Sequence, residues 1–209
     1  MNLSLNEIEA TAKRATRGAG YSWGQAEEAG KATRWLCAQG LDGAGILARL
    51  LALGFATDPA NHRPQQLDGR WRAEGDLCPL SVGPLLSDTA RLLDAGAIEM
   101  QPVVAPALLL PFVSNAARIQ KCALQIEFDS VQAVTDGARL YSPDDFPDKA
   151  QRVTIKKGAK LDMPREHQSR AHPTPTDWDA LNQFAHHTYA PATEESRLLG
   201  AGAGLSDND

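Results

Sequence analysis

A chain of 209 residues, 43% hydrophobic and 22% charged, has the composition of a folded globular protein, which argues against global disorder and against a coiled coil. Its net charge of −5 provides no general attraction for nucleic acid or an acidic lipid surface. Cys37, Cys78 and Cys122 are odd in number and form no CxxC pair, so reduced thiols in a cytoplasmic setting are expected.

The opening residues predict three packed helices over 4–54. Ser4-Leu5-Asn6-Glu7 has the form of a capping box, followed by Leu5, Ile8, Ala12 and Ala15 on one face and Lys13, Arg14 and Arg17 toward the helix end. Gly18 is expected as a left-handed stop. Ser22-Trp23-Gly24-Gln25 repeats the box, with Tyr21 as a hydrophobic staple toward Ala26. The inward stripe of this second helix reads Trp23, Ala26, Ala29/Gly30, Thr33 and Leu36/Cys37, and Gly40 ends it. Asp42 caps a third helix bearing Ile46, Leu47, Leu50, Leu51 and Leu53.

Residues 56–76 lack periodicity and read as a surface excursion pinned by Trp71. Pro84 is expected to start a helix carrying Leu85, Leu86, Ala90 and Leu93, closed by Gly96. The run 103–113 is apolar, but two prolines break it and it is too short to span a bilayer. The opening MNLSLNEIEATAKR lacks the features of a signal peptide, so no membrane partner is expected.

Beyond Gly96 the pattern becomes strand-like. Residues 122–128 alternate Leu124, Ile126 and Phe128 against Gln125 and Glu127; segments 98–104, 131–135, 138–141 and 152–156 are further strands, with Thr135-Asp136-Gly137 as a turn. Residues 115–120 fit either a helix or a loop. Thr176 is expected to cap a last helix with Trp178, Leu181 and Phe184, before a short helix and a glycine-alanine tail. The fold class expected is α+β: the three-helix segment, a mixed or antiparallel sheet in the second half, then a C-terminal helix and glycine-rich tail. The chain reads as one domain, 1–209, divided into a helical part (1–54), a mixed helix-and-sheet region (77–160) and a C-terminal arm (161–209).

Specific chemistry is sparse. Gly18 and Gly20 match the start of a G-x-G-x-x-G loop, but Trp23 occupies the third glycine's place and a helix precedes it, so the stretch is a helix–turn–helix. Neighbouring His186 and His187 diverge by about 100° on a helix and do not share one metal, so no metal and no cofactor are expected. Gly20-Tyr21-Ser22-Trp23-Gly24 has the G-x-S-x-G spacing but follows a helix rather than a strand, so no nucleophile elbow is expected, and no Walker, HExxH, EF-hand or zinc-ribbon motif occurs. Asp144 and Asp145 read as solvated loop acids, and Cys37 as core. The candidate ligand-binding residues are Trp23, Arg118, His186, His187 and the tail glycines Gly200, Gly202 and Gly204. The tail is also a candidate homodimer arm.

The opening LSLNEIEATAKRATRGAGYSWGQAEEAGKATRWLCAQGLDG and the closing TYAPATEESRLLGAGAGLSDND together resemble a bacterial family of uncharacterised proteins, which carries no activity across. About the first fifty residues also resemble the N-terminal helices of type 2 malate/lactate dehydrogenases. That family has a serine-histidine-glycine motif after the second helix, where this chain reads GLDGAGILARL without histidine, so no residue role is carried over. The expected function is non-catalytic accessory or small-ligand binding. The alternative is a small-molecule enzyme whose site gathers distant groups, His186 or His187 with Arg118, Asp129 or the tail.

Overall fold

Two capping boxes set the N-terminal architecture of the computed structural model, which describes residues 1–158 and 160–189. After the short strand β1 (Leu3–Ser4), Ser4 Oγ accepts from the Glu7 amide at 3.2 Å and the Glu7 carboxylate accepts from the Ser4 amide at 2.8 Å. Helix α1 (Leu5–Gly18) therefore starts where the local pattern places it. Ser22 and Gln25 start α2 (Trp23–Ala38) in the same way, and the Asp42 carboxylate starts α3 (Gly43–Ala52) by accepting from the Gly45 amide at 3.0 Å. Small buried residues, among them Ala12, Ala15, Ala26 and Ala29, let these helices approach closely around Leu36, Leu47 and Leu50.

The chain continues through β2 (Arg70–Leu77), α4 (Pro79–Asp88), β3 (Ile98–Val104) and α5 (Leu110–Gln120). It then forms β4 (Leu124–Phe128), β5 (Val131–Thr135), β6 (Leu140–Tyr141), β7 (Lys149–Ala150), β8 (Val153–Lys157) and β9 (Arg170–Ala171), and ends its described part with α6 (Pro175–His186). The fold is α+β, with a mixed sheet ordered β2-β3-β8-β4-β5-β6. β2 and β3 run parallel and the remaining pairs are antiparallel; β7 adds to the far end of β3, and β9 pairs with β1. Ile155 on the central strand stands opposite both Ile98 and Ile126, all three fully buried, while Glu99, Gln125, Glu127 and Lys156 alternate onto the outer face.

Several local expectations change. Residues 70–77 are not part of a surface loop but form an edge strand; only Trp71 and Leu77 are buried, and its charged outer face conceals the alternation. Trp71 does pin the segment, being fully buried opposite Met100. α4 begins at Pro79, where no amide donor is needed, and Pro84 lies inside it. Residues 115–120 are helical, within α5. Thr174 rather than Thr176 caps α6, its hydroxyl accepting from the Asp177 amide at 3.1 Å. The left-handed residue after α1 is Gly20, with φ of 100°, not Gly18. Gly18 stays helical, and a Cβ there would collide with the Phe184 carbonyl oxygen of α6. Trp23 leaves the inward stripe altogether: at the first turn of α2 it is 66% exposed, with the Arg17 guanidinium 5.0 Å over its ring.

Candidate functional site

The β2–α4–β3 unit brings the carboxyl ends of two parallel strands to one edge, the position where sheets of this connectivity leave a crevice. β2 is irregular between Arg72 and Leu77, so Asp76 leaves the regular ladder. Directly after β3 comes Ala105, a non-glycine residue at φ 43°, whose amide donates to the Asp148 carbonyl at 2.7 Å and draws the 143–149 loop over the edge. α3 closes the opposite side. The resulting cavity has a volume of about 520 Å³, within the range of small-molecule sites.

Its chemistry divides into a floor and a rim. Ile46, Leu50, Val104, Ala107 and Phe146 provide apolar surface, and Leu53, 51% exposed, extends it outward. Five carboxylates, Asp42, Asp76, Asp144, Asp145 and Asp148, face two cations, Arg49 and Lys149. Lys149 pairs with Asp76 at 2.8 Å, Arg49 with Asp148 at 3.3 Å, and Arg165 reaches Asp144 at 2.7 Å from outside the cavity. Asp145 has no ion-pair or hydrogen-bond partner among the described residues, so the rim retains negative charge.

A second cavity, of about 730 Å³, lies between the end of α2, the start of α3 and the segment from Arg165 to Thr174. Asp42 lines both cavities. Its carboxyl is pushed above the ordinary carboxylate range by partial burial, with the neighbouring charge of Asp177 acting in the same direction against the Gly45 amide and Arg49. The Cys37 thiol also lines this cavity; burial pushes it up to about 11, opposed by the amides of Gly43 and Ala44 at the start of α3. A thiol held that high is protonated at neutral pH and is a poor nucleophile.

The residues singled out from sequence lie apart from this region. Arg118 is exposed on α5, bonded to Asn115, in a shallow depression with Glu28 and Pro84. His186 and His187 line another depression with Asp179 and Asn182, His187 Nδ1 lying 3.2 Å from the Gly18 carbonyl. Asp129 sits at the β4–β5 turn, where its carboxylate accepts from the amides of Gln151 and Arg152 at 2.9 and 2.8 Å. Arg118, Asp129 and the His186–His187 pair occupy separate elements and share no cavity with one another. Gly200, Gly202 and Gly204 lie outside the described residues.

What sequence reasoning passed over is the acidic loop SPDDFPDK, residues 142–149. Its signal was present: an aromatic residue amid acids is unusual for a purely solvated loop, and Phe146 packs edge-on to Phe128 with ring centroids 5.5 Å apart.

Comparison with known families places only the N-terminal part. Residues 3–91 are similar to a family described as a protein of unknown function (DUF3726). The similarity includes Cys37, Gln39, Asp42, Arg49 and Asp76, and ends before β3, the strand that completes the crevice. No curated protein and no solved structure matches the chain. Among the described residues no helix is long and apolar enough to cross a membrane, and no group of three or more histidine, cysteine or acidic side chains is arranged to hold a metal.

Proposed function

We propose that this protein binds a small molecule, without chemistry of its own, in the 520 Å³ cavity at the carboxyl edge of the β2–β3 pair. The observation that carries the reading is the combination of an apolar floor with a net-negative rim at that edge. It favours a ligand joining an apolar body to a protonated amine: the body covers Leu50, Leu53 and Phe146, and the ammonium meets the carboxylates of Asp144 and Asp145. A carboxylate of the same shape meets repulsion instead. The non-catalytic part of the reading is supported by the thiol of Cys37, protonated at neutral pH, and by the exposed rim acids, the side chains of Asp144 and Asp148 being 85% and 86% accessible.

The test is a titration of the full chain with phenethylamine and, in parallel, phenylacetate, followed by NMR shifts of the methyl groups of Leu50 and Leu53. The amine is expected to shift them with saturation, and Asp145→Asn to weaken it about threefold or more, less so at high salt. Equal binding of phenylacetate, or amine-induced shifts located elsewhere, would refute the assignment.

A further inference from the structure

The larger cavity is lined by a buried amide side chain without a partner among the described residues. Gln39, directly after α2, is 4% exposed. Its backbone is fully engaged: the amide donates to the carbonyls of Trp35 and Leu36, and its own carbonyl accepts from Arg165 Nε at 2.6 Å. Its side-chain carboxamide has no hydrogen-bond partner among the described residues. The indole nitrogen of Trp71 is the one fully enclosed side-chain polar atom left unpaired among those residues. The Gln39 carboxamide, also without a partner among them, is not enclosed in that way, and Gln39 lines the 730 Å³ cavity.

We propose that this cavity is a binding site for a neutral ligand bearing a carboxamide edge, such as a primary amide, a lactam or a peptide bond. The Gln39 carboxamide has no partner among the described residues, and a facing amide can take the place of water on it with two antiparallel bonds, N–H to O and O to H–N. Charge selects against ions: Asp42 and Glu166 offset Arg165 and Arg170 on the same walls, and the Arg165 guanidinium is already taken up by four backbone carbonyls and Asp144. Small neighbours, Ala44 and Ala171, leave room for a flat group. The site shares only Asp42 with the cleft at the β2–β3 edge and does not depend on that cleft binding an amine.

The test uses benzamide on the full chain, with benzoate and benzyl alcohol as controls, read by calorimetry and by NOEs from the benzamide ring to the Gln39 side-chain NH₂. Expected are binding of benzamide, NOEs to Gln39 in the wild-type protein, no displacement by phenethylamine, and at least tenfold weaker binding in Gln39→Leu. The thermal midpoint of free Gln39→Leu should equal or exceed the wild-type value, because the carboxamide makes no hydrogen bond among the described residues that the variant would lose. Absence of benzamide binding to the wild-type protein, absence of the NOEs, equal binding by the variant, or a lower midpoint for the variant overturns the proposal.

Discussion

Asp42 and Asp177 turn their carboxylates toward the same backbone position, Gly45. A Cβ on Gly45 would overlap the Asp42 carboxylate and lie 3.0 Å from Asp177 Oδ2. Two helix starts, those of α3 and α6, thereby meet across a residue that has no side chain, and each start brings an acid that favours its own helix dipole. The arrangement suits each helix separately and sets two like charges against each other.

That relationship has a signed dependence on pH. Asp42 holds its proton more tightly in the folded chain than its ordinary value of 3.8, so its ionised form costs stability at neutral pH. The cost disappears as pH falls through the raised folded value toward 3.8. Asp42→Asn keeps the cap, because asparagine accepts from the same amide. The variant is expected to be at least as stable as the wild type at pH 7 and to lose that advantage at pH 4, measured by urea midpoints at both pH values. Comparison at equal pH cancels Glu7, Glu27 and Asp94, whose lowered values make their own contributions fade in acid. An advantage for the variant that is constant or grows toward pH 4 contradicts the geometry.

Arg165 joins parts of the chain that nothing local connects. Its guanidinium donates to the carbonyls of Gln39, Gly40, Ser142 and Pro143 and to Asp144, with its side chain only 16% accessible, so it ties the end of α2 to the loop that walls the smaller cavity. Arg165→Ala should cost about 2 kcal/mol by urea denaturation and weaken phenethylamine binding through a loosened 143–149 loop. Arg165→Lys should recover less than half of the stability, since one ammonium cannot serve five acceptors in a fork. Full recovery by lysine would show that charge alone suffices.

The cysteines separate by access. Cys37 and Cys78 are buried and burial raises both thiols, whereas Cys122 is partly exposed. At pH 7 a thiol of pKa about 11 is ionised to about one part in ten thousand. Brief treatment of the native protein with iodoacetamide at pH 7.5 should add one label, at Cys122, and urea should release all three, as read by peptide mass spectrometry. Rapid native labelling of Cys37 would reopen the enzyme alternative.

Sequence alone determined the features whose causes lie within one helical turn. Ser4 with Glu7, Ser22 with Gln25, and Asp42 with the Gly45 amide are contacts three residues apart, so the starts of α1, α2 and α3 are readable from local order. The alternation in β4 was equally legible, because one face of that strand is buried along its whole length. Tertiary structure decided the rest. β2 is a strand because Trp71 pairs beside Met100, across an intervening helix, and its own charged pattern does not announce it. Asp144 and Asp145 remain exposed loop acids, as read from sequence, and form a cavity rim as well because Arg165 and the Ala105 amide hold their loop over the β3 edge. Gln39 shows why such sites escape a sequence reading: whether a buried carboxamide has a partner depends on which distant residues surround it, and no local pattern encodes a missing neighbour.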